Sequence, residues 1–350
     1  MSSLRSTRLL MPAVLAGIFV FVVSAAPARL QAQQPYKVID KWTIGGDGGW
    51  DYLTADSAAH RLYITRGPQV LVVDTKTGKQ IGAITGLHGT HGVALDDAGK
   101  FGYISDGGGN AVVVFDRTTL ATVATIPTGG QGPDGIIFEP ATQTVWAFEG
   151  HSKDAAVIDA ASRKLVATIP LPGKPEFPAV DGKGTVFDNI EDKNEIVRLD
   201  ARSKTLTATW PVTGCDGPGG LAMDASGERL FPACDGKKMA VVDANTGAVI
   251  ATPSIGDGPD AAGWDAAHKL AFASCGEGVL SVIDASKPDY PTIETLPTQR
   301  GARTMAYDSS TDRVYLVTAE FGPRPAPTAQ NPRPRPSIVP GSFTVIVVGR

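Results

Sequence analysis

Cysteine is scarce in this chain, with three in 350 residues, and the patterns they fail to form are informative. Cys215, Cys234 and Cys275 make no C-x-x-C-H for covalent haem and no paired C-x-x-C for structural zinc. There is no G-x-S-x-G elbow and no H-E-x-x-H helix, so the familiar serine-hydrolase and zinc-protease arrangements are absent. No stretch carries a sustained helical period. Excess positive charge is missing too. A formal net charge of −4 gives no general electrostatic reason to bind nucleic acid. The one long apolar run, residues 9–23, is too short and wrongly flanked for a comfortable membrane span.

What is present points to an exported all-β protein. With 42% hydrophobic and 19% charged residues, the chain can bury a large core. Its 40 glycines and 26 prolines imply many turns and many short strands. Arg5 and Arg8 precede the apolar run, and the small residues after it suit a signal peptidase cutting after Ala28 or as late as Ala32. The segment has no cysteine for a lipid anchor. Loss of the two arginines takes the formal charge from −4 to −6. A periplasmic or extracellular location is expected, with no membrane span after cleavage. Residues 36–350 then form a single domain.

An internal repeat decides the fold class. "DYLTAD" from Asp51, "HGVALD" from His91, "DGIIFE" from Asp134, "EFPAVD" from Glu176, "GGLAMD" from Gly219, "DAAGWD" from Asp260 and "RTMAYD" from Arg303 align on an apolar strand that ends in an acid. The steps between these starts are 40, 43, 42, 43, 41 and 43 residues. Each unit reads as four strands, a to d, with turn residues between them, as in "YLTAD", "RLYIT", "QVLVVD", "TKTG" and "KQIGAI". Seven such units predict a seven-bladed β-propeller with four antiparallel strands per blade. The last unit lacks a strand d, and "YKVIDKWTIG" (residues 36–45) precedes the first strand a, so the N-terminal strand is expected to complete the last blade.

The frame "VxVxD-x-x-T-G-K", followed by "A-T-I-P-x-G" and "P-D-G-I", is best preserved in "VLVVDTKTGKQIGAI" and "VVVFDRTTLATVATIPTGGQGPDGI". It resembles the YVTN repeat of YncE-like seven-bladed propellers, exported proteins of bacteria, over nearly all of the mature chain. The tetrapeptide itself is eroded to "LYIT", "GYIS" and "YLVT". The resemblance implies architecture and export, and it carries over no catalytic residue.

Candidate binding residues are those that break the repeat where ligands have access. Strand a lines the channel, and its first residue varies from unit to unit. Asp51, His91, Asp134, Glu176, Asp260 and Arg303 are therefore expected to ring the channel mouth, with Gly219 at the seventh place. Crowded carboxylates repel unless a cation or proton is shared, so the ring reads as a site for a small polar ligand or an ion. His91, Asp134 and Glu176 are the candidate ligands of a divalent metal ion, and no other cofactor is implied. His88 in "GLHGTHG" is a second candidate nitrogen ligand. The b-to-c loops add Arg66, Asp106, Glu149, His151, Asn189, Glu191, Asp235, Glu277 and Glu320 on the same face. Glu149 and His151 lie two residues apart, a spacing that allows an acid/base pair but equally lets them point away from each other.

Cys215 precedes strand a and Cys234 ends strand b of one unit, so antiparallel pairing predicts a Cys215–Cys234 disulfide with Cys275 free. A Cys234–Cys275 bridge between neighbouring units is the alternative. Two functional classes remain. One is a non-catalytic binding or scaffold propeller, expected to be a monomer, taking a small polar ligand, a metal ion or a protein partner at the mouth. The other is a metal-dependent hydrolase or lactonase that uses the channel carboxylates. The last b-to-c loop, residues 320–342, is proline-rich, and its extended character suits either an arm laid over the binding face or a plain solvated insertion.

Overall fold

The computed structural model describes residues 34–328 and 334–350. The expected leader, 1–28 or 1–32, and the middle of the proline-rich loop, 329–333, lie outside the described residues. Residues 35–350 make one compact unit. Apart from two 3-10 turns, Gly107–Gly109 and Glu191–Lys193, its regular elements are strands. No helix among the described residues is long and apolar enough to cross a membrane.

The fold is a β-propeller of six sheets, which corrects the expected seven. Most sheets have four strands along their path, one repeat unit each, as in the sheet of Pro133–Glu139, Thr144–Glu149, Asp154–Asp159 and Lys164–Pro170. The first two units instead share a six-stranded sheet. The N-terminal strand β1 (Lys37–Thr43) belongs to the last sheet. The shared sheet runs through β2 (Leu53–Asp56), β3 (Arg61–Asp74), β4 (Gln80–Leu95), β5 (Phe101–Asp106), β6 (Ala111–Asp116) and β7 (Thr122–Pro127). The physical cause is a ladder that does not break at the unit boundary. Thr90 in β4 pairs with Gly67 of β3 on one side and with Asp106 of β5 on the other. Gly67, at φ +57°, supplies the left-handed corner that lets β3 continue.

The recurring aspartate of the repeat has a local role. Asp74 Oδ1 accepts hydrogen bonds from the backbone of Lys76 and Thr77 at 3.0 and 2.8 Å. Asp116 does the same for Thr118 and Thr119, and Asp243 for Asn245 and Thr246. One residue further on, Gly78, Leu120 and Gly247 take positive φ, which completes the hairpin and leaves a bulge in the following ladder.

The core lies between neighbouring sheets. Leu62, Ile64, Leu71 and Val73 of β3 pack against Tyr315, Val317, Val345 and Val347 of the last sheet. Trp146, Phe148 and Val157 pack against Val186, Val197 and Leu199 of the next. Each such buried side chain contributes about 1.5–3 kcal/mol.

The ring is clasped where the termini meet. β1 runs antiparallel to Thr344–Gly349, from Lys37 opposite Gly349 to Thr43 opposite Thr344, and completes the sheet of Met305–Asp308 and Arg313–Thr318. Arg350 closes the joint: its Nε lies 3.0 Å from Asp312 Oδ2, and a terminal nitrogen donates to the Tyr36 hydroxyl at 2.8 Å. Cys215 and Cys234 are disulfide-bonded, and Cys275 is a buried free thiol pushed up to about 12 by burial.

Candidate functional site at the channel mouth

The ring residues start the innermost strand of each unit, and their carbonyls are held by the preceding unit. Thr65 Oγ1 donates to the His91 carbonyl at 2.9 Å, Ser105 Oγ to that of Asp134 at 2.5 Å, and Asn189 Nδ2 to that of Gly219 at 2.7 Å. Ser274 makes the same bond to Arg303. A hydroxyl or amide near the end of strand b therefore sets where each ring side chain starts. Where the bond is missing, glycine takes over. Gly135 passes so close to the next strand that a Cβ there would lie 2.2 Å from the Glu176 carbonyl oxygen.

Asp51, His91 and Asp134 converge. His91 Nδ1 is 2.7 Å from Asp51 Oδ2 and 3.4 Å from Asp134 Oδ1, and one ligand atom from each residue fits within 4.8 Å of the others. Gly107 makes this possible, because a Cβ there would meet His91 Nε2 at 2.8 Å. Burial opposes a charged imidazole. The Asp51 hydrogen bond and the charges of Asp134, Asp51 and Glu176 outweigh it and raise His91 to about 9. Burial lifts Asp134 to about 6, although His91 counteracts it.

The other ring members find separate partners. Lys174 Nζ sits 3.2 Å from Glu176 and 2.5 Å from Glu191, so Glu176 of the expected His91, Asp134 and Glu176 set is ion-paired with Lys174, and Asp51 is the third member of the converging group. Burial and the charge of Asp134 still raise Glu176 to about 7. Arg303 pairs with Asp260 at 3.2 Å, and burial lifts Asp260 to about 6. Behind Glu176, Asp188 is wholly buried. It accepts one hydrogen bond from the Glu176 backbone at 3.1 Å, while Oδ2 has no partner, and desolvation pushes it well above the carboxylate range.

Tyr52 and Phe177 form the floor. Their rings meet edge-on with centroids 4.9 Å apart, joining the first and fourth units. Burial and the nearby Asp260, Glu176, Asp134 and Asp51 raise the Tyr52 phenol well above its usual value. Neither Tyr52, Phe177, Lys174 nor Asp188 was among the expected site residues. The signal for the aromatics lay in the repeat: the residue after each ring position is Gly92, Gly135, Gly220, Ala261 or Thr304 elsewhere, and aromatic only at 52 and 177.

The loop residues are mostly structural. Arg66 donates to the carbonyls of Asp47 and Gly48 and lies 3.8 Å over the Phe343 ring. Asp106 accepts from His88 through both the backbone at 2.7 Å and the ring at 3.0 Å, which fixes that loop. Glu149 is buried with Thr128, and no hydrogen bond or ion pair joins it to His151 among the described residues. Glu277 accepts from the Asp257 backbone at 3.0 Å, Glu320 donates its backbone N–H to Ser342, and burial raises Asp235.

No protein-family model and no curated protein matches this chain. Among solved structures it is similar to Kuenenia stuttgartiensis hydrazine synthase, at 16% identity and TM-score 0.68 over 77% of this chain and 92% of that one. It is also similar to the WD40 repeats of RRP9, at 11% identity and TM-score 0.73 over 90% and 99%, and to U3-55K, at 10% and 0.71 over 89% and 99%. Likeness at such low identity establishes a β-propeller and leaves activity to the residues of the site.

Proposed function

We propose that this chain is an exported, monomeric, non-catalytic binding propeller of the YVTN-repeat kind, whose channel mouth takes a divalent cation. The observation that carries the reading is the convergence of Asp51, His91 and Asp134, with one ligand atom of each within 4.8 Å of the others, beside Glu176 and Asp260 and above the Tyr52–Phe177 floor. One imidazole and two carboxylates suit a borderline transition metal. The Cys215–Cys234 disulfide supports export, since such bonds persist in oxidising compartments. An acidic mouth repels phosphates and so gives no role to nucleic acid.

Metal analysis after dialysis against Mn2+, Zn2+ and Ca2+ tests the reading. A stoichiometric ion is expected, and it should be lost in His91→Ala and Asp134→Asn. Protein that retains no ion and shows no thermal shift with any of the three would end it. A metal-dependent hydrolase is the second reading, because Glu176 at about 7 is poised as a general base beside the trio. Turnover of lactone or ester substrates that disappears in Glu176→Gln with the ion still bound would favour it.

A further inference from the structure

A cavity of about 350 Å³ lies between the last units and the base of the proline-rich loop. Its volume is that of a small-molecule site. Among the described residues four arginines line it: Arg300 and Arg303 before the final repeat strand, and Arg324 and Arg335 on the outgoing and returning limbs of the loop. Among the described residues only Arg303 of the four has an anionic partner, Asp260. Arg300, Arg324 and Arg335 make no side-chain hydrogen bond or ion pair among the described residues. No carboxylate among the described residues lines the cavity, in a chain whose formal net charge is −4. Gathering guanidinium groups without counter-charges costs electrostatic energy, which a bound anion would relieve.

The cavity is also lined by aromatic side chains, Trp50 and Phe321, that are held in place. Trp50 packs between Phe321, at 6.2 Å, and Phe343, at 5.2 Å. Gly301, at φ +82°, makes room for Phe321, because a Cβ there would come within 2.6 Å of the ring. The two limbs of the loop are joined at this level by the Phe321–Ile338 bridge and by the Gly322 N–H bonded to the Ser337 carbonyl at 2.8 Å. The loop base is therefore a built wall of the cavity.

We infer that this cavity binds a small organic anion, with its carboxylate, phosphate or sulfate group among the arginines and an aromatic or other flat apolar body against Trp50 and Phe321. The site is separate from the proposed cation site and opposite in charge. Arg303 is the one residue common to both neighbourhoods.

Calorimetric titration and Trp fluorescence with phenyl phosphate, phthalate, inorganic phosphate and neutral 2-phenylethanol test this on the purified protein. Phenyl phosphate or phthalate should bind saturably, inorganic phosphate more weakly and the neutral alcohol not at all. Arg324→Gln with Arg335→Gln, both exposed positions, should weaken binding about tenfold or more at an unchanged melting temperature. His91→Ala should leave it unaffected, which separates this site from the cation site. Absence of saturable binding by either aromatic anion up to about 10 mM, or equal affinity in the double arginine variant, would overturn the inference. Inorganic phosphate binding as tightly as phenyl phosphate would remove the aromatic wall from it.

Discussion

Replacing Glu149 by Gln should stabilise the protein at neutral and alkaline pH and do little in acid. Glu149 ends a central strand with no solvent exposure. Its Oε1 accepts from Thr128 Oγ1 at 2.6 Å, while Oε2 has no donor. Asp154 lies directly opposite on the neighbouring strand. Burial, reinforced by Asp154 and opposed by Thr128, raises Glu149 from the ordinary 4.5 to about 7. A carboxyl whose pKa is higher in the folded state favours folding only when protonated. The penalty is therefore absent below about 4.5, grows as pH rises and is complete above about 7. The full difference corresponds to about 3 kcal/mol, and water reaching the site would lower it to about 1–3 kcal/mol. Glutamine keeps the acceptor for Thr128 and offers Asp154 a donor. Urea unfolding at pH 4.5 and pH 8, followed by two probes, should show the variant more stable by about 1–3 kcal/mol at pH 8 and near wild type at pH 4.5. Equal destabilisation at both pH values would refute the reasoning, because the loss would then come from packing and not from the charge.

Three further outcomes follow from the geometry. Replacing both Cys215 and Cys234 by Ser releases a loop with a sequence separation of 19 and should cost about 3 kcal/mol in denaturant unfolding, whereas Cys275 should resist thiol reagents until the protein unfolds. Gly135→Ala places a Cβ against the Glu176 carbonyl and should cost about 1–3 kcal/mol, measured as a lowered melting midpoint. Wild-type stability there would mean that the innermost strands separate easily.

Much of the local structure was legible in the chain. "VLVVDTKTGK" announces a hairpin because Asp74 can satisfy the turn's N–H groups and Gly78 can take the left-handed corner. The closing strand was legible as well, since the last unit was one strand short and the first had one to spare. The number of sheets was not. It depended on whether hydrogen bonding stopped between the first two units, and Thr90 carries the ladder through by pairing on both sides. The site was half legible. Asp51, His91 and Asp134 met as neighbouring repeat positions should, but Lys174, which pairs with Glu176, gave no sign in the repeat, and Glu149, of the two alternatives its spacing left open, bonds to Thr128 and not to His151.

The sequence by itself determined the strand order of each unit, its turn chemistry and the residues that open each innermost strand, because these depend on neighbours a few positions apart. Only the closed ring decided that Tyr52 meets Phe177, that Arg350 grips Tyr36, and that arginines from three segments surround one cavity. Those contacts join residues with no shared local period. They exist because packing sheet against sheet around a circle brings together parts of the chain that no turn or strand could have related.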